Sequence, residues 1–288
     1  MAAPECPAQT GCTVGSGINQ VRGNGCGALK IDSLQMRLPG SLTADGCRWY
    51  KGYLREHITT SEGWVANQMD QLFFSLRLSF QVAGIATVIV IVVGIALGYF
   101  LATKRFKGKE WLDVLLTLPL VLPPTVTGYY LILLFGRRGL LGKYLYDLTG
   151  WTIMFTWQAA VVSSFVVALP FMIKTTRAAI EGVDISYIHA SYTLGHSEFA
   201  TALRIILPLA RKGILAGAIL SFARALGEFG ATLMVAGNIP GKTNTMPLTI
   251  YTLASSGDWR SANLLVLFFT VLSGLFLYAS GRLTRRLV

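Results

Sequence analysis

Arg224 and Glu228 stand four residues apart inside an apolar stretch, GILAGAILSFARALGEFGATLMVA at 213–236. An ionisable side chain at membrane depth costs about 3 kcal/mol on insertion scales and faces protein or a water-filled path. The spacing sets the two on one helix face, where they can pair. Two roles are open. One is a polar lining of an anion path, in which the forked donors of Arg224 suit a tetrahedral oxyanion. The other is a structural ion pair that fixes helix packing or a dimer contact. On the same stretch Gly227, Gly230 and Thr232 permit close helix approach or a kink. Pro123 and Pro124 remove backbone donors inside a second apolar stretch and must break or bend it. Broken helices at membrane depth often line transport paths.

Other chemistry is poorly supported. Gly241-Lys242-Thr243 looks like the end of a phosphate loop, but that loop needs a glycine with four residues between it and the Gly-Lys pair, where Ala236 stands, and a preceding strand. Here Val235, Ala236, Asn238 and Ile239 occupy that region. His189 and His196, seven residues apart, are poorly spaced metal ligands. Ser163 and Ser164 lie in an apolar run, where serines bond backbone carbonyls. No catalytic residue, metal site or cofactor is assigned to this chain.

The elements that hold these residues are membrane spans. Only 14% of the 288 residues are charged and 53% are hydrophobic, with a mean hydropathy of +0.54. Soluble proteins carry about 25% charged residues, so a soluble or disordered chain is excluded. Five stretches reach the roughly 20 apolar residues a span requires: 72–101, 111–136, 152–173, 213–236 and 262–280. Such runs must be helices, because helices satisfy their own backbone hydrogen bonds in lipid. The fold class expected is an all-α membrane protein of about five spans.

The net charge of +11 fits a topology bias and not nucleic acid. One side of the membrane carries Lys104, Arg105, Lys107, Lys109, Lys174, Arg177, Arg204, Arg211, Lys212, Arg282, Arg285 and Arg286. The other, after residue 68, carries Arg137, Arg138, Lys143, Lys242 and Arg260. The basic side is cytoplasmic by the positive-inside rule. The N-terminus is then outside, the C-terminus inside, and the location a cell (inner) membrane.

Residues 1–68 differ in kind. They hold Cys6, Cys12, Cys26 and Cys47, all four cysteines, and a net charge of only +1. They lack the apolar core of a signal peptide and show no helix or strand period. The expectation is a poorly structured extension, either a real tail with disulfides in an oxidising compartment or a gene-model artefact ahead of a chain starting near Met69. Residues 69–288 form the transmembrane domain.

The loop at 174–212 is long and patterned. Its stretch 185–203, ISYIHASYTLGHSEFATAL, splits at Gly195 into two short amphipathic pieces. Glycine allows a φ > 0 turn between them. Ahead of any family comparison, two helices around such a turn read as a docking element or as an idle interfacial pair.

The loop then reads His189-Ala190-Ser191, three residues, Gly195, nine residues, Ile205-Ile206-Leu207-Pro208. This resembles the E-A-A, three, G, nine, I-x-L-P pattern of permeases of ATP-binding-cassette (ABC) importers. Gly195, Ile205, Leu207 and Pro208 match, while His189 and Ser191 depart. LPLVLPPTVTGYYLILLFGRRG (118–139), RAAIEGVD (177–184), SFARALGEFGAT (221–232) and NIPGKTNTMPLTIY (238–251) resemble the molybdate permease family, close to sulfate permeases. The resemblance covers about 70–285.

It implies a type I importer permease fold. His189, Ala190, Ser191, Gly195, Ile205, Leu207 and Pro208 would form the ATPase-coupling loop. Pro123, Pro124, Arg224, Gly227, Glu228, Gly230 and Thr232 are the candidates for the translocation path. The implied partners are two ABC ATPase subunits carrying ATP and Mg, a periplasmic molybdate-binding protein, membrane lipid and a second copy in a homodimer. Sulfate or tungstate permeases are the near alternatives. An ATP-independent secondary transporter or channel is the alternative of another class, and it predicts inverted repeats that the sequence lacks. A membrane enzyme would need an acid, base or metal cluster that is also missing.

Overall fold

The apolar stretches fold into helices whose ends are set by proline, glycine and capping side chains. The computed structural model describes three short strands between residues 13 and 30 and residues 44–286, with side chains over 71–282. Two compact units divide at Met69 and Asp70. In the first, β1 (Thr13–Val14), β2 (Gln20–Gly23) and β3 (Cys26–Lys30) make an antiparallel sheet in that order, Val21 facing Leu29. The sequence reading expects no strand there; strands of two to five residues are too short to show a period. The pairing of the four cysteines lies outside the described side chains.

In the second unit, helix α1 (Ala44–Thr103) contributes the span Gln71–Thr103. Helices α2 (Lys109–Val121) and α3 (Pro124–Phe135) follow, bent by 118° about Leu122 and Pro123. Leu122 is extended (φ −69°, ψ 142°), as a residue before proline must be. Helix α4 (Gly142–Thr149) precedes α5 (Trp157–Glu181), which Thr156 caps by accepting the Ala159 N–H. Next come α6 (Ile185–Thr193), α7 (Glu198–Thr201), a π-helical turn (Ala202–Ile206) and α8 (Leu207–Leu226). Helices α9 (Gly230–Ala236), α10 (Met246–Ser255) and α11 (Trp259–Arg286) complete the unit.

Among the described residues four helices are long and apolar enough to span, or five where the bent α2–α3 pair counts as one span. Contacts show that the chain changes face between α2 and α5. Asp113 on α2 meets Lys174 and Arg177 near the end of α5. Lys104, just past α1, meets Glu198 of α7. The ends of α1 and α5 and the starts of α2 and α8 therefore share one face. The start of α5 lies on the opposite face, so the chain passes across between the start of α2 and the start of α5.

Two boundaries differ from the sequence expectation. The fourth span is 198–226, displaced from 213–236, because Gly227 ends α8 and α9 starts only at Gly230. The long loop shrinks to about residues 182–197, since helix continues to Glu181 and resumes at Glu198. Periodicity cannot find such ends when basic residues are carried on helix termini.

Packing relies on small residues. A Cβ on Gly94 or Gly98 would strike Met172 or Thr176 of α5, and one on Gly213 or Gly217 would strike Ala179 or Thr175. Helices α1 and α8 thus press against α5 at backbone distance, as expected where lipid gives no hydrophobic driving force between helices. The core runs through Val82, Ala86, Val90, Ala160, Ala168 and Met172. Little of α11 is buried, and Leu264, Leu267, Val271 and Leu275 are exposed. Such a continuous apolar surface suits lipid or another subunit.

Candidate functional site

The loop face carries the first group of candidate residues. Asp184 caps α6, accepting both the Ser186 N–H at 2.8 Å and the Ser186 hydroxyl at 2.6 Å. These bonds hold its carboxyl below the ordinary 3.8. Helix α6 ends in a turn in which Gly195 adopts φ +81°. Its N–H donates to the Tyr192 carbonyl at 3.0 Å, and the His196 N–H donates to Ser191 at 3.2 Å. The glycine turn expected from the sequence is thus present. Ser197 then caps α7 by accepting the Ala200 N–H.

Ser191 and Thr201 hydroxyls meet at 2.8 Å, both buried, and tie α6 to α7. Ile188 packs on a small core of Ile180, Ile206 and Ala210, joined by Tyr99 and Ala102 of α1. Lys104 and Glu198 add an exposed ion pair at 2.8 Å, which raises the lysine's affinity for its proton. The helix pair is therefore seated on α1, α5 and α8 together. Its other side is bare: Leu194 is 78% exposed and Phe199 74%, beside Ile185 and Tyr187. His189, Ala190 and Gly195 are also exposed.

Ile205 and Leu207 are half-buried and Pro208 is exposed in the first turn of α8. Pro208 cannot donate to the carbonyl four residues back, and its ring crowds that carbonyl. The helix widens just before it, and the Leu207 N–H reaches the Ala202 carbonyl five residues earlier.

The second group gathers at two facing breaks. Pro123 precedes α3 and Pro124 is its first residue. A Cβ on Gly230 would lie 2.9 Å from the Pro124 Cβ, and one on Gly128 would lie 3.0 Å from the Ala231 Cα. The break in α2–α3 thus abuts the start of α9. Arg224 lies in the last turn of α8, and Glu228 lies beyond its Gly227 cap. The pair is closed at 2.7 Å, with the Glu228 side chain 1% exposed and that of Arg224 27%. Glu228 Oε1 also accepts the Ala231 N–H at 2.8 Å. The expectation of one continuous helix face is corrected: the pair bridges a helix break, because Gly227 stops α8 between the two residues.

Thr232 is buried, its hydroxyl 2.8 Å from Ser163 of α5. Ser163 and Ser164 bond to the carbonyls of Ala160 and Ala225. The Gly241-Lys242-Thr243 segment closes on itself: the Thr243 hydroxyl accepts the Ile239 N–H and donates to the Gly237 carbonyl. Helix α10 sits on α1, with the Met246 N–H on Ser79 and Thr249 on Ser75.

The sequence reading missed the Ser191–Thr201 clasp, the Lys104–Glu198 link and the Asp113 junction with α5. The clasp alone had a signal, a serine in place of the pattern's second alanine.

Residues 91–288 match the family of binding-protein-dependent transport system inner membrane components. The chain belongs to this family. It is 43% identical over 200 residues to the molybdenum transport system permease protein ModB of Escherichia coli, covering 69% of this chain and 87% of that one. The ModB of Haemophilus influenzae is 41% identical over 214 residues, covering 74% and 93%. Among solved structures, the inward-facing MetNI methionine ABC transporter aligns with a TM-score of 0.63 at 18% identity, covering 77% of this chain and 98% of that chain. A bacterial ABC transporter that imports alginate aligns at 0.64 and 13%, covering 83% and 99%. At these identities the TM-scores show the fold alone, the one shared with the permeases of these ABC importers. The family members it matches are transport permeases embedded in the inner membrane.

Proposed function

We propose that this chain is the permease subunit of an ATP-driven molybdate importer. The observation that carries the reading is the seated helix pair α6–α7, clasped beneath and bare on its outer side at Leu194 and Phe199. An apolar, rigid projection on the basic face suits a groove in a separate ATPase. Two such ATPase subunits, holding ATP and Mg, would supply the energy, and the chain itself would perform no catalysis. A periplasmic molybdate-binding protein would deliver the anion on the opposite face.

The same reading places the C-terminus in the cytoplasm and residues 1–68 as an outer extension. It assigns His189, Ala190, Ser191, Gly195, Ile205, Leu207 and Pro208 to coupling. The path would run between Pro123–Pro124 and the Arg224–Gly227–Glu228–Gly230 break, with Thr232 serving the packing behind it. Five spans are too few to enclose a pore alone, and the bare apolar face of α11 supports a homodimer with the path on its two-fold axis. Molybdate is favoured over sulfate by the 43% and 41% identities to molybdenum permeases.

The test is uptake into proteoliposomes holding the chain, its ATPase and its binding protein, with molybdate, tungstate and sulfate in competition. ATP-dependent molybdate uptake, blocked by tungstate and insensitive to sulfate, is expected. Uptake without ATP would overturn the class of transporter, and preferential sulfate uptake would overturn the substrate.

A further inference from the structure

Arg224 and Glu228 form an unequal pair. The carboxylate is enclosed, with 1% of its side chain accessible, whereas 27% of the Arg224 side chain remains accessible. One carboxylate oxygen accepts the Ala231 N–H at 2.8 Å; the other is buried, makes no hydrogen bond and faces the guanidinium Nη1 at 2.7 Å as an ion pair alone. The guanidinium carries five donors in a fixed fork. Among the described residues it has no other partner, so the donors away from Glu228 are free to take an anion.

The pair lies where the backbone itself is interrupted. Gly227 ends α8, Glu228 and Phe229 are not helical, and Gly230 packs on Pro124 at the other break. Ser164, which reaches the Ala225 carbonyl, is seven residues from the start of α5, about 10 Å into the bundle. A cation alone at that depth would hold a dianion tightly, and a transporter that holds its cargo tightly does not release it.

We infer that Glu228 is a positioning residue that weakens the oxyanion site at Arg224. It fixes the guanidinium at the break, offsets most of its charge and leaves only its outward donors for a tetrahedral dianion. The anion is then touched by Arg224 and never neutralised by it, which keeps the stop in the path shallow. This rests on the proposed permease reading and concerns oxyanions as a class.

The test measures equilibrium binding of molybdate, tungstate and sulfate to the full chain, purified in nanodiscs with its ATPase subunits and without the binding protein. Glu228→Gln keeps a carbonyl oxygen for the Ala231 N–H but removes the charge, and its amide nitrogen frees the guanidinium. Binding should tighten about tenfold or more, while the maximal uptake rate falls and the concentration of binding protein giving half-maximal uptake stays fixed. Glu228→Asp should restore behaviour toward the original, and Arg224→Gln should abolish the weak binding.

A purely structural pair predicts the opposite pattern: Glu228→Gln lowers thermal stability and leaves anion binding no tighter. That result, or binding that survives Arg224→Gln in an intact complex, overturns the inference. If tightening appears with sulfate and not with molybdate, the positioning role stands and the molybdate reading fails. If neither anion tightens while ATP-dependent molybdate uptake is intact, the converse holds.

Discussion

Replacing Gly195 with valine isolates one physical variable. A Cβ at this position would meet nothing within 4 Å, so no steric clash enters. What changes is the backbone, because φ is +81°. A side chain in the left-handed region costs roughly 1–2 kcal/mol, and β-branching places valine at the upper end. That amount shifts a local equilibrium about 5- to 30-fold. The equilibrium at stake is whether α6 and α7 fold back on each other, with the His196 N–H on Ser191 and the Ser191–Thr201 clasp closed. Gly195→Asn is the control, since asparagine tolerates this region. Molybdate-stimulated ATPase activity and uptake would be measured together in proteoliposomes. The valine variant should hydrolyse ATP with little gain from molybdate and transport poorly, while the asparagine variant should stay close to the original. Equal uptake by all three, or equal damage from valine and asparagine, would refute the turn as the requirement for coupling.

Ser191→Ala should destabilise the folded chain by about 1–3 kcal/mol by stranding the buried Thr201 hydroxyl, and adding Thr201→Val should recover much of that loss in thermal unfolding. Gly128→Ala places a Cβ 2.7 Å from the Met234 Cβ and 3.0 Å from backbone, so a loss of about 1–3 kcal/mol from overpacking is expected, read as a lower unfolding temperature. The Asp184 cap should respond to acid: its carboxyl is held below 3.8 in the folded chain, so its contribution is present above that value and lost as pH falls through the lower folded one. Protection of the Ser186 amide relative to its intrinsic exchange rate should therefore fall only below about pH 4, and Asp184→Asn should flatten that response.

The spans were legible because lipid imposes long apolar helices, and the glycine turn was legible because few residues besides glycine sit at positive φ. The exact ends were not. Arg224 and Glu228 at i and i+4 read as one helical face, yet Gly227 stops α8 between them. Pairing across the break needs only that the chain turn back, which a spacing rule cannot distinguish from continued helix. The contacts that seat the loop join residues far apart in sequence: Lys104 with Glu198, and Asp113 with Lys174 and Arg177. No local period encodes them. The three short strands near the N-terminus escaped for the opposite reason, being too brief for any period.

The helical path from the loop to the break explains why those seats matter. From Glu198 through the π-helical turn to Leu226 the backbone stays helical for 29 residues, about 43 Å. Its lower end carries the Glu198 link, the Thr201 clasp and the Ile206 contact; its upper end carries Arg224. Nothing between them is hinged by proline after the first turn of α8, and the glycines at 213 and 217 are locked against α5. A displacement imposed at α6–α7 therefore cannot be absorbed along the rod and emerges at Gly227, where α8 stops. The residue that follows is Glu228, whose carboxylate holds both the end of α8 and the start of α9. On the proposed function, moving the loop and moving Arg224 are one event, and the break at Gly227 is where that motion turns into a change in the path.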